Sequence, residues 1–181
     1  MSIVLLGHGG GGRLMAELIE GLFLPRLGSP DLARADDSAV LPEPGGQIAF
    51  TTDSFVVDPP IFPGGDIGRL AVCGTVNDLA ASGARPLYLS TAFILEEGLP
   101  LETLERVANS MAAAAEEAGV RLVAGDTKVV PRGKADRLFI TTSGIGVIPE
   151  GMNVSGHHAR PGDVVLCSGT LGDHGMAIMV T

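Results

Sequence analysis

The sequence predicts an α/β (α+β) fold, a mixed sheet with helices on one face, and three observations carry that prediction. Stretches rich in β-formers (residues 47–57, 85–95 and 136–148) interleave with stretches of helical apolar period (residues 13–24, 70–84 and 101–118). Glycine and proline, 26 and 12 of the 181 residues, cluster as turns between them and follow no collagen-like or low-complexity period. The chain is 45% hydrophobic with a mean hydropathy of +0.34, enough apolar material to bury a core.

Taken in order, a short apolar run precedes Gly7-His8-Gly9-Gly10-Gly11-Gly12. Glycines just before a helix can offer backbone N–H groups to an anion, or can simply form a loose linker. No Gly-Lys-Ser/Thr follows, so the run is not a Walker A loop. Residues 13–24 then read as a helix with Met15, Leu18, Ile19 and Leu22 on one side, ended by Pro25 and Gly28. Residues 38–41 and 47–57 read as two strands joined by a Pro/Gly turn, a hairpin that would bring Asp36 and Asp37 near Asp53. Asp66 is placed to cap the next helix.

That helix, LAVCGTVNDLAASGA over residues 70–84, is the stretch around which the chain is organised. Its only charge is Asp78, beside Asn77. Helical spacing puts Asp78 on a face with Gly74, Thr75, Ala81 and Ser82, and puts Ile67, Leu70, Cys73 and Ala80 on the opposite, core-facing stripe. A carboxylate buried in such a helix needs a partner: backbone or an arginine on one reading, a ligand seated on the small-residue face on the other.

A third strand follows over residues 85–95, and residues 101–118 form an amphipathic helix closed by Gly119. Residues 120–124 make a strand that ends in Gly125-Asp126-Thr127-Lys128, placing Asp126 at a strand-to-loop junction. After the long strand at 136–148, residues 157–162 read as a linker and 164–168 as the start of a new strand. The division is therefore an N-terminal domain over residues 1–156, then a linker and the beginning of a second domain over 157–181.

The formal charge of −9 argues against a nucleic-acid backbone as partner, and with no Trp and one Tyr there is little aromatic surface for stacking bases. Cys73 and Cys167 lack any CxxC context and read as small hydrophobes in a reducing compartment. Residues 2–6 are too short for a signal sequence and no apolar run is long enough to span a bilayer, so a cytoplasmic location is expected.

Asp37, Asp53, Asp78 and Asp126 each fall where an apolar element ends or is interrupted. If they converge, a divalent cation with phosphate oxygens would relieve their repulsion; otherwise they are separate capping or solvated side chains. The ordered series DDSAV (36–40), TTDSFVVDP (51–59), AVCGTVNDLAASGARP (71–86), GDTKVV (125–130) and GTLGDHG (169–175) resembles the ATP-binding superfamily of aminoimidazole ribonucleotide synthetase. Within it, GHGGGGRLM, FTTDSFVVDP and GDTKVVPRGKAD are most similar to the HypE family, the carbamoyl dehydratases of [NiFe]-hydrogenase assembly.

The resemblance implies a PurM-like N-terminal domain and a homodimer whose sheets pair into a β-barrel, with ATP and Mg²⁺ near the interface. It implies ATP-dependent conversion of a carboxamide on the protein's own C-terminal cysteine to a thiocyanate, the source of the hydrogenase cyanide ligand. HypF would supply the carbamoyl group and the HypC–HypD scaffold would receive the product. By motif, Asp37, Asp53, Asp78 and Asp126 would hold metal and phosphate; Asn77, Thr127 and Lys128 would contact nucleotide; Gly9, Gly10, Gly11 and Gly12 would close over the phosphates. Lys134 or Lys128 would remove the amide proton, and His8 and His174 would position substrate or phosphate. The chain ends at Thr181 without the family's terminal cysteine, so dimerisation and weak Mg-ATP binding are expected of it, but not dehydration on its own. Rival readings are another enzyme of the superfamily, of the thiamine-phosphate kinase or aminoimidazole ribonucleotide synthetase type, and a non-catalytic nucleotide-binding dimerisation module.

Overall fold

The computed structural model describes residues 3–34 and 36–180; Ser2 of the short N-terminal apolar run and Thr181 of the second-domain segment lie outside the described residues. A 3-10 turn (Leu6–Gly9) leads through glycines into α1 (Arg13–Leu18), a π-helical stretch (Ile19–Phe23) and α2 (Leu24–Leu27). Pro25 does not stop the helix. The chain stays helical to Leu27, and Arg26 Nη1 donates to the carbonyls of Gly21 (3.3 Å) and Leu22 (3.0 Å), which the proline and the wide π turn leave short of donors.

Four strands form the main sheet: β1 (Gln47–Phe55), β4 (Arg85–Glu96), β5 (Arg121–Val130) and β6 (Leu138–Ile148), in the order β1-β6-β4-β5. Two short strands, β2 (Ile61–Phe62) and β3 (Gly65–Asp66), pair separately. β6 is antiparallel to both its neighbours, and β4 and β5 run parallel, joined across α4 (Leu101–Ala118). The expected hairpin does not form. Residues 38–41 have no regular structure, and β1 finds its ladder on β6 instead. β5 likewise runs past Gly125 to Val130, so Asp126 lies within a strand, opposite Ala92.

The central helix α3 (Ile67–Ala81) and α4 pack together on one face of the sheet. Asp66 caps α3 as the sequence predicts, its Oδ1 accepting from the N–H groups of Gly68 (2.8 Å) and Arg69 (3.0 Å). The helices cross closely at Gly68, where a Cβ would stand 2.5 Å from the Val107 carbonyl oxygen. α4 has the predicted bounds, ends on Gly119 at φ 66°, and buries Leu104, Val107, Ala108, Met111, Ala114 and Ala115. The buried side of α3 differs from the predicted stripe: Ile67, Gly68, Ala71, Val72, Thr75 and Leu79 are inside, Leu70 and Cys73 are half-buried, and Ala80 is exposed.

Residues 164–168 do not form a strand; Val164, Val165 and Leu166 are exposed, and among the described residues no strand pairs with them. Helix α5 (Asp173–Met179) follows. Cys167 is exposed, unlike the buried small hydrophobe expected, and Cys73 is half-buried. Among the described residues no helix is long and apolar enough to cross a membrane.

Candidate functional site

The carboxylates occupy two places. On β1, residues 51, 53 and 55 point toward α3. Phe55 lies against Gly74, and Asp53 Oδ2 comes within 3.7 Å of the position a Gly74 Cβ would take, so the glycine gives the carboxylate room beside the helix. One turn further on, Asp78 Oδ2 accepts a hydrogen bond from Thr51 Oγ1 at 3.0 Å. Asp53 and Asp78 thus flank one groove between edge strand and helix. Asp78 and Asn77 are exposed, which corrects the expectation of a buried acid: α3 is apolar on the side facing the sheet and α4, and Asp78 sits on its open side near the C-terminal end. Its charge carries no large burial penalty.

The second place is at the opposite edge. Asp126 Oδ1 accepts from Lys128 Nζ at 2.7 Å and from the Thr127 N–H at 2.8 Å. The Lys128 hydrogen bond holds the Asp126 carboxyl below the usual carboxylate range; burial opposes it, and the Thr127 N–H and the lysine's charge add to the lowering. Asp36 and Asp37 line the same cavity as Asp126, a space of about 230 Å³ bounded by the first helical segment, β4 and β5. Phe23 and Phe93 stack in its wall with ring centroids 4.9 Å apart, and the buried Thr91 hydroxyl, which also lines it, has no hydrogen-bond partner.

Asp37 therefore neighbours Asp126, not Asp53 as the hairpin would have required. A single register row crosses the sheet from Asp53 through Thr142 and Thr91 to Gly125. Three interstrand steps separate its ends, about 14 Å. Within one chain the four aspartates do not meet: among the described residues no group of three or more His, Cys, Asp or Glu could hold a metal ion.

The glycine run lies along β5. Gly9 is pressed on Val129, where a Cβ would meet the backbone nitrogen at 2.5 Å; Gly10 lies over the Gly7 carbonyl oxygen, where a Cβ would stand at 3.7 Å, while Gly11, at φ 74°, and Gly12 face open space. Thr127 is buried toward the helices and Lys128 is exposed. The Lys128 ammonium is engaged with the Asp126 carboxylate. Lys134 is exposed in the turn between β5 and β6, which Glu96 holds by accepting from the N–H groups of Gly133 and Arg137. His8 is buried, and its Nδ1 accepts from the Leu5 N–H at 2.8 Å, which caps its own turn. His174 packs edge-on to Phe62. Sequence reasoning placed Thr75 on the small-residue face of Asp78, whereas it is fully buried, and it missed the buried Thr91 and Thr142; a lone threonine in a strand or helix carries no signal that it will meet another.

Residues 35–148 match the family model described as AIR synthase related protein, N-terminal domain. Over 174 residues, 96% of this chain, the sequence is 55% identical to carbamoyl dehydratase HypE of Rhizobium leguminosarum bv. viciae, covering 50% of that protein. The fold superposes on the crystal structure of hydrogenase maturation protein HypE in complex with ATP with a TM-score of 0.93 at 56% identity, covering 97% of this chain and 52% of that one. It also matches a chain of the HypE–HypF complex with a TM-score of 0.72 at 59% identity, over 90% of this chain and 52% of that one. The chain thus spans about half the length of the relatives it matches. It belongs to the AIR synthase related protein family and carries that family's N-terminal domain.

Proposed function

We propose that this chain is the ATP-binding and dimerising half of a cytoplasmic carbamoyl dehydratase for [NiFe]-hydrogenase maturation. The observation that carries the reading is the match of nearly the whole chain to the HypE structure solved with ATP. In the reaction, the oxygen of a carboxamide on the C-terminal cysteine takes the γ-phosphoryl group of ATP. Loss of both amide protons and departure of phosphate leave a thiocyanate, with ADP and phosphate as the other products. The chain's part is to hold the triphosphate and its cation.

The residues fit Mg²⁺, which is commonly bound by one or two carboxylates together with substrate phosphates. Asp53 and Asp78 offer such a pair, and Asp37 and Asp126 a second. When bound, the cation would neutralise phosphate charge during transfer. Asn77, Thr127, Lys128 and the Gly9–Gly12 backbone would contact the nucleotide, and Lys134 or Lys128 would take an amide proton. The separation of the two acidic places favours a site completed by a homodimer, in which one protomer's β1 edge meets its partner's β5 edge. The sheet face without helices supports that arrangement: Phe50, Ile48 and Ile94 are 68%, 57% and 41% exposed there, and pairing two such faces into a barrel would cover them. HypF as carbamoyl donor and the HypC–HypD scaffold as acceptor complete the proposal.

Calorimetric titration of ATP with and without Mg²⁺, on the wild type and Asp78→Asn, tests the reading. Metal-dependent binding that the substitution weakens is expected. A metal-independent heat that Asp78→Asn leaves untouched would count against the site.

A further inference from the structure

The groove holding Asp53 and Asp78 has one wall on the sheet and one on α3, so its shape depends on how the helix is seated. That seat contains one polar contact in otherwise apolar surroundings. Thr75 Oγ1 and Thr142 Oγ1 are 2.5 Å apart, both residues are fully buried, and Thr142 Oγ1 donates to the Ala71 carbonyl at 3.1 Å. Because the single Thr142 proton goes to Ala71, the Thr75 hydroxyl must donate to Thr142, which fixes the direction of the chain. Such a satisfied pair in a low-dielectric setting specifies one rotation of the helix, whereas apolar contacts alone tolerate sliding. The next inward residue of β6 is Gly144, where a Cβ would lie 2.8 Å from Thr75 Cγ2 and 2.9 Å from Leu79 Cδ1, so the helix can approach closely enough for the hydroxyls to meet.

Both carboxylates are tied to this contact. Thr142 is the register partner of Asp53 on the same face of the sheet, and Asp78 follows Thr75 by one helical turn. We propose that Thr75 and Thr142 are positioning residues for the Asp53–Asp78 seat, fixing the separation of the two carboxylates and hence the affinity of the groove for a divalent cation carrying a triphosphate. The inference rests on the reading of that groove as a Mg-ATP seat.

The test is the Mg²⁺ concentration at half-maximal ATP binding in the purified chain, with Mn²⁺ paramagnetic resonance as a direct report on the metal. Thr75→Val and the double variant Thr75→Val/Thr142→Val are expected to raise that concentration by about tenfold, the usual effect of removing an outer support of a metal ligand. Affinity for metal-free ATP should stay at the wild-type value, and Thr142→Ser, which keeps the hydroxyl, should behave as wild type. Should the double variant not fold, Thr75→Val alone decides, since Thr142 keeps its bond to Ala71. A wild-type Mg²⁺ midpoint in Thr75→Val overturns the inference, as does an equal loss of metal-free and metal-bound ATP affinity. A wild-type chain without metal-dependent ATP binding overturns the underlying reading as well, so the two failures are distinct.

Discussion

Thr51 donates a hydrogen bond to Asp78 across the gap between edge strand and central helix, at 3.0 Å. The bond fixes the open-side acid of α3 to the strand that bears Asp53. Thr51→Val should leave stability within about 1 kcal/mol, because the contact is exposed, and should weaken Mg-dependent ATP binding severalfold. Parallel thermal melts and calorimetry separate the two effects; a variant with unchanged Mg-ATP affinity would remove Thr51 from the site.

Gly68 lies where α3 and α4 cross. Gly68→Ala would set a methyl 2.5 Å from the Val107 carbonyl oxygen and 2.9 Å from Met111 Cγ. Overpacking of this kind costs about 1–3 kcal/mol, so the urea midpoint should fall clearly.

Asp66 is the N-cap of α3, and its carboxylate serves two backbone donors. Asp66→Ala should destabilise by about 1 kcal/mol, and Asp66→Ser should recover most of the loss. Chemical denaturation of the three proteins checks this.

The Asp126–Lys128 pair predicts a pH response. The Asp126 carboxyl titrates below its ordinary range when folded, so its contribution to stability is complete above the unfolded value and disappears as pH falls through the folded one. The pair is more than half exposed, so solvent screening keeps that contribution within about 1 kcal/mol. Lys128→Met should shift the Asp126 titration upward; an NMR titration followed at the Thr127 amide reads it directly.

Phe50 stands on the helix-free face of the sheet, 68% exposed. Phe50→Glu should leave the melting temperature of the isolated chain nearly unchanged, since little of the ring is buried. Sedimentation velocity should show a loss of self-association, and a variant that associates like the wild type would set aside the barrel pairing.

Features governed by neighbouring residues were legible in the sequence. The Asp66 cap, the bounds of α4 and its Gly119 stop follow from local rules, because each depends on residues within about a turn. The apolar alternation of β6 is local in the same sense. What misled was strand pairing. Residues 38–41 and 47–57 invited a hairpin because sequence neighbours usually pair, yet β1 pairs with a strand about ninety residues later, as the Thr52 hydroxyl on the Thr142 carbonyl illustrates. That choice sends Asp37 and Asp53 to different edges, which no spacing rule encodes. Asp78 was misplaced for another reason: α3 is apolar nearly all round and gives weak notice of which side is covered, so the expected core stripe of Ile67, Leu70, Cys73 and Ala80 is not the one the fold buries.

The last strand of the sheet to be synthesised is the one that both β1 and β4 require, because β6 lies between them. Until residues 138–148 leave the ribosome, β1 is an unpaired ribbon with Ile48 and Phe50 uncovered, while β4, α4 and β5 can already close their own unit. Nascent chains stalled before Leu138 should therefore be the forms most prone to strand exchange and chaperone capture. A protein released from that point onward can zip β1 shut in a single late step.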